Sequence, residues 1–441
     1  MKSIKDVSLL LTLLLISPAL GLMAQEKVDR QVSIEELFEL ADANSRTIKM
    51  FTLSQQEAAE GVGQAKSARL PQIDLSLSAS YLGNGRIVDR NLSHWQKAPV
   101  PHFGNSFALE ASQIIYTGGA ISADISLAKL QYQLAELSRE NNRQELRFLL
   151  VANYLELYKL RNQEGVFIKN IEQTERLLQE IKAKHSEGLV IKNDITRYEL
   201  ELESLELALL EVRNTVEIIN NQLVTVLALP KEVVIAVDTT LFEQLPQNSF
   251  ELEWQEQAAQ HSITLKQAGL GVEQSQQVER MVRSERLPSI ALFAANQFNG
   301  PITIEIPPIN KNINNWTVGV SLKYNLASLY KSSKKSNQAL LSTQRAIEGE
   351  KLAKERLEVE VNQNYIRYIE SFQAYNTKVK SLALAEQNYT TVNNRYLNDL
   401  ALISDMLDAT NVKLSAELDL ANAGVNILFN LYKLKRLTAN L

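Results

Sequence analysis

The chain has 441 residues, 45% of them hydrophobic and 22% charged, with a formal net charge of −5 at pH 7. That balance argues against nucleic acid as a partner, because a phosphate-binding surface needs concentrated positive charge. The absence of cysteine excludes disulfides, thiol chemistry and a lipid-acceptor cysteine, while only 10 prolines and 16 glycines favour long uninterrupted elements over several small domains.

The chain opens with Lys2 and Lys5, an apolar run from Val7 to Ile16, Ser17-Pro18 and a small-residue site near Leu22-Met23-Ala24. This is the layout of a secretory signal peptide over residues 1–24, with the mature chain starting near Gln25. The run is shorter than the roughly 20 apolar residues of a transmembrane helix, and no later stretch supplies one. An exported Gram-negative protein fits best.

Ser33-Ile-Glu-Glu36 reads as a capping box, and the helix it starts is predicted to run to about Lys66. After Pro71 the pattern switches to alternation, giving a strand at 72–82 with Ile73, Leu75, Leu77, Ala79 and Tyr81 on one face. A loop over 83–105, a strand at 106–115 and the breaker Gly118-Gly119 follow. From 121 to 186 there is no proline and almost no glycine, which predicts a helix of about 100 Å. A turn at Gly188 leads into a shorter helix that ends near Ala228, before Pro230.

The apolar positions of that shorter helix are Ile195, Tyr198, Leu202, Leu205, Leu209, Val212, Val216, Ile219, Leu223 and Val226. Their steps of three and four average 3.5, the period of a left-handed coiled pair; an ordinary amphipathic helix on a globular core is the plainer alternative.

The second half repeats the plan. Ala68-Arg69-Leu70-Pro71 is answered by Glu285-Arg286-Leu287-Pro288, and the pairs Asn153-Tyr154/Asn364-Tyr365 and Asp194/Asp405 share one spacing of 211 positions. Two repeats follow, 25–230 and 250–441, joined by a linker at 231–249. Helices are predicted at about 250–285, 327–397 and 403–437 and strands at 289–298 and 315–324, with a long loop at 299–314 between the strands. Two short helices should stack end to end beside each long one.

Four strands of about ten residues match the length of a tilted membrane-crossing strand. In lipid an open sheet edge cannot be satisfied, so the strands must close into a barrel, and four cannot close. Two chains would give eight strands and a barrel filled by its own side chains, whereas three give twelve and a water-filled interior. A conduit is therefore expected to be a homotrimer. Tyr81, Phe107 and Trp316 are expected at strand ends, as an aromatic girdle.

With these residues in view the chain resembles the TolC-like outer membrane efflux protein family over essentially its whole mature length. The resemblance is carried by the duplicated plan and by two helix-turn-helix tips, Glu187-Gly-Leu-Val-Ile-Lys-Asn-Asp194 and Arg395-Tyr-Leu-Asn-Asp-Leu-Ala-Leu-Ile-Ser-Asp-Met-Leu-Asp-Ala-Thr410. It implies a mostly helical α+β membrane protein, with a 12-stranded β-barrel continuing into a periplasmic α-barrel of about 12 helices. It further implies a passive exit duct in the outer membrane of a Gram-negative bacterium, passing small molecules from the periplasm or an inner-membrane transporter to the exterior, with a periplasmic adaptor as partner. Drug efflux and type I secretion ducts share the plan.

By residue, the resemblance assigns adaptor docking to Gly188, Leu189, Asp399 and Leu400, and a periplasmic gate to Asp194, Tyr396, Asp405 and Asp408. Tyr396 would bond Asp194 of a neighbouring hairpin, and Asp405 and Asp408 would form carboxylate rings. The two aspartates, three apart, share a helix face; solvated helix-start acids favoured by the helix dipole are the alternative. One departure is Ala401, which stands where well-studied relatives carry a gate-tethering arginine.

His94, His102, His185 and His261 show no metal-ligand spacing, and no P-loop, dinucleotide fingerprint or nucleophile elbow occurs. No cofactor and no enzyme activity are expected. A soluble periplasmic coiled-coil scaffold is the rival reading.

Overall fold

The computed structural model describes residues 28–238, 241, 250–305, 307–398 and 400–441. The expected leader at 1–24, Asp399, and residues 239–240 and 242–249 of the linker lie outside the described residues. The elements in the first half are β1 (Val28–Val32), α1 (Ile34–Asn44), α2 (Arg46–Ser67), β2 (Gln72–Tyr81), β3 (Gly85–Ile87), β4 (Gln96–Ala98), β5 (Phe103–Tyr116), α3 (Ala120–Ser186) and α4 (Lys192–Leu227). There follow β6 (Val233–Val237), α5 (Glu251–His261), α6 (Ile263–Ser284), β7 (Ser289–Gly300), β8 (Ile313–Lys323), α7 (Ser328–Leu397) and α8 (Ile403–Leu437).

Each expected opening helix is in fact two. At Ser45 and Ser262 the backbone leaves the helical region, and each serine hydroxyl accepts from a backbone N–H three residues on, at Ile48 and Leu265. A serine in a helical pattern can cap a new helix as readily as continue the old one, and here both do.

The four long strands form one antiparallel sheet in the order β2-β5-β7-β8. Register places Ile73, Ala111, Ala294 and Val318 in one row, and Leu75, Leu109, Asn296 and Trp316 in the next. The face they share is open at both flanks of the sheet: Leu77 is 73% exposed and Val318 72%. The opposite face carries Ser76, Ser78, Ser80, Thr317 and Ser321, with Asp74 and Glu110 directly across from each other. Phe107 and Trp316 lie inside their strands rather than at the ends, because β5 and β8 begin earlier than the alternation suggested; Tyr81 does end β2.

Every long strand runs into or out of a helix. α2 leads into β2, β5 into α3, α6 into β7 and β8 into α7, so the strand order is continued by the helices. α3 packs on α2 and α4 along one side and on α6 and α8 along the other, and α7 packs on α6 and α8. The 67 residues of α3 and 70 of α7 each span about 100 Å beside two stacked shorter helices. The result is a strip four columns wide whose borders are α2 and α4 on one side and α7 on the other.

The borders carry exposed apolar residues: Leu200, Leu207, Leu210 and Ile218 on α4, and Leu352, Val359 and Ile366, seven apart, on α7. None of the heptad positions named for α4 is exposed.

Between sheet and helices, Gly118 and Gly119 both take positive φ, 64° and 90°, and a Cβ at Gly118 would stand 2.8 Å from Leu287. Only glycine can make this close crossing of the two junctions.

Midway along the helices, β1 and β6 pair in parallel and cover a core of Leu37, Leu150, Tyr154, Leu157, Leu223 and Ile235. The Tyr154 hydroxyl donates to the Val32 carbonyl at 2.6 Å and accepts the Asp238 N–H at 2.7 Å. Burial pushes its pKa up to about 12, so it stays protonated.

Asp42 ties α1 to α3 through hydrogen bonds from Arg143 at 2.7 Å and Arg147 at 2.5 Å. Burial raises the Asp42 pKa, but the two guanidinium contacts outweigh it and leave the carboxyl below its usual range. A depressed carboxylate stabilises the fold above the unfolded-state pKa of about 4, and that contribution is lost as pH falls through the lower folded value. Asp42→Asn should therefore be less stable than the parent at neutral pH, with the difference closing below about pH 4. Thermal melts across that range, followed by circular dichroism, check this; a constant difference would refute it.

Candidate functional site

The two tips are built alike. Gly188, at φ 78°, follows the end of α3, and the Leu189 N–H bonds the Lys184 carbonyl at 3.0 Å. In the second tip the Leu400 N–H bonds the Arg395 carbonyl at 2.8 Å. Both are the six-to-one closure of a Schellman turn.

Each following helix begins with its third residue's carboxylate accepting from the N-cap backbone. Asp194 accepts from Ile191 N–H at 3.4 Å, and Asp405 from Leu402 N–H at 3.0 Å. The spacing of 211 thus recurs in every capping element. His185 adds a side-chain contact in the first tip, its Nδ1 lying 2.8 Å from the Val190 carbonyl.

Behind the turns, Leu177, Leu178 and Ile181 of α3, Tyr198 of α4, Tyr396 of α7 and Ile403 and Met406 of α8 form one apolar cluster. Tyr396 is buried there with the Lys184 ammonium 4.7 Å from its ring centre. Ala401 packs against this cluster. Asp405 and Asp408 are exposed on α8, and Asp194 is half-buried.

Of the expected gate residues, therefore, Tyr396 belongs to the tip core, Asp194 and Asp405 engage their own helix starts, and Asp408 points to solvent. Gly188, Leu189 and Leu400 lie at the extreme turns, where Leu189, Ile191, Leu400 and Leu402 are all more than 60% exposed.

Tyr198, which no motif flagged, faces Tyr396 in the cluster. Burial raises the pKa of its hydroxyl, for which the described residues supply no hydrogen-bond partner. An aromatic at a heptad position was its only sequence signal.

Above the tip, a polar seam crosses from α3 to α8. Lys413 and Glu417, 7% and 9% exposed, stand 3.5 Å apart. Asn170 donates to Glu417 at 3.0 Å, Lys169 lies 3.6 Å from it, and Lys413 donates to Gln173 at 3.4 Å while resting over the Tyr389 ring. Breaking such a pair costs more than replacing it whole, since the orphaned charge has lost its water. Glu417→Leu should cost about 3 kcal/mol of stability and Lys413→Met/Glu417→Leu much less. Denaturant unfolding of the single and double variants checks this; equal costs would refute it.

Comparison with known proteins supplies the context of this geometry. Residues 37–229 match the family described as outer membrane efflux protein. No curated protein matches the sequence. The fold matches the outer-membrane channel OprN with a TM-score of 0.76 at 15% identity, covering 92% of this chain and 90% of that one. It matches VceC of Vibrio cholerae with a TM-score of 0.74 at 15% identity, covering 92% and 96%. For the CmeC outer membrane channel of Campylobacter jejuni the TM-score is 0.74 at 16% identity, covering 92% and 85%.

Proposed function

We infer that this chain is the outer membrane exit duct of a tripartite efflux system, a channel and not an enzyme. The observation that carries the reading is the sheet: β2 and β8 each pair on one side only, and the apolar face between them stands open. A soluble scaffold would have to hold that face in water. In a bilayer the face meets lipid, and both free edges are satisfied if β8 of one copy pairs with β2 of the next.

Three copies turn four strands and four helical columns into twelve of each, and the apolar borders on α4 and α7 give the copies a coiled-coil seam. Transport is passive, powered by an inner-membrane transporter and coupled through an adaptor that grips the exposed leucines of the tips. Gly188, Leu189, Asp399 and Leu400 are assigned to that contact.

The gate lies at the same end. Asp405 and Asp408 on one exposed helix face, repeated threefold, would gather six carboxylates at the constriction and favour cations. Tyr396 and Asp194, close behind on adjoining hairpins, are the assigned closing pair. Ala401 puts a methyl group where a tethering arginine would stand, so the closed state rests on the apolar packing of Tyr396, Tyr198 and Met406.

The mature chain should fractionate with the outer membrane and migrate as three chains unheated and one chain boiled; a water-soluble monomer would overturn the reading. In planar bilayers Ala401→Arg should lower single-channel conductance, and an unchanged value would remove the tether from the account.

A further inference from the structure

Positive charge collects just below the sheet, in a chain whose net charge is −5. Lys66 and Arg69 lie at the end of α2, Arg280 in the last turns of α6, and Lys331 and Lys334 in the first turns of α7. All five are exposed, and none forms an ion pair among the described residues. Two of the nearby acids are engaged by other cations, Glu279 by Arg283 and Glu285 by Lys335.

Apolar side chains are interleaved with these cations: Leu70 is 67% exposed, Leu326 64%, Leu329 57% and Tyr330 71%. They continue the apolar face of the sheet downward. At 1.5 Å per residue, Arg280 and Lys334 lie within about 10 Å of the sheet-proximal ends of their helices. A headgroup layer of about 5–8 Å beyond the hydrocarbon core covers most of that band.

We propose that this belt is a docking surface for anionic phospholipids of the periplasmic leaflet. The leucines and Tyr330 reach the acyl boundary, and the unpaired ammonium and guanidinium groups take the phosphates. The inference rests on the reading of the sheet as membrane-spanning. Two observations select this occupant: the cations form no ion pair among the described residues, and the belt is continuous with the lipid-facing surface. Long basic side chains beside apolar anchors are also how polypeptides sit at anionic leaflets.

The test uses the full mature assembly reconstituted in nanodiscs of phosphatidylcholine, alone or mixed with phosphatidylglycerol, with retained lipid counted by native mass spectrometry. The parent should retain phosphatidylglycerol in preference, and high salt should weaken that preference. Lys331→Gln/Lys334→Gln should reduce it by about fivefold per cation removed. Lys354→Gln/Arg356→Gln, further down α7, should leave it unchanged.

Equal retention of the two lipids by the parent would overturn the proposal, as would a preference that survives the Lys331/Lys334 double variant. If that variant loosens the assembly equally in lipid-free detergent, the cations serve contacts between copies and the proposal falls. Should the variant fail to assemble, the lipid preference of the parent and its salt dependence decide. A parent chain that enters neither bilayer would sink the membrane reading itself; one that enters both without discrimination sinks only this inference.

Discussion

An unpaired backbone edge is the constraint on which the rest of this structure depends. Four strands leave two rows of N–H and C=O groups open, and water is the only solvent in which that is tolerable for a single chain. With an apolar outward face, the proposed reading meets both demands at once: lipid takes the face, and neighbouring copies take the edges. The helices obey the same rule at lower stakes. Their hydrogen bonds close internally, so what remains open at the borders of the strip is apolar side chain rather than backbone.

Much of this was legible in the sequence because period and length carry the signal. The alternation from Ile73 to Tyr81, the proline-free run behind α3 and the spacing of 211 between Asp194 and Asp405 all correspond to described geometry. What was not legible lacks periodicity. β1 is five residues, Val-Asp-Arg-Gln-Val, and only its last is buried, so no alternation could reveal it; its existence depends on a parallel partner some 200 positions away. The breaks at Ser45 and Ser262 depend on a hydroxyl choosing the backbone ahead of it over solvent.

In the tips, sequence motifs located the turns but not the packing. Tyr198 and Tyr396 become neighbours only when two hairpins are laid side by side. The family resemblance supplied carboxylate roles that the geometry partly redirects. Asp194 and Asp405 are helix-start acids by their hydrogen bonds, and an interaction of this kind competes with any contact made across the axis. The Lys413–Glu417 seam had no motif at all. It lies between α3 and α8, which the Gln163–Asn422 hydrogen bond and the Arg436–Glu145 ion pair also join.

The glycine joint at 118–119 separates two regions whose order of formation differs. Each helical hairpin below it closes through contacts between segments joined by a short turn, the kind of low contact order that folds early and needs no second molecule. The sheet above it leaves two edges open within one polypeptide, so on the proposed reading its sealing is a collision between chains whose rate scales with their concentration. On the proposed reading, a protomer would therefore exist first as a folded helical stalk with an open apolar sheet, and the membrane would be the meeting place where that sheet finds its neighbours.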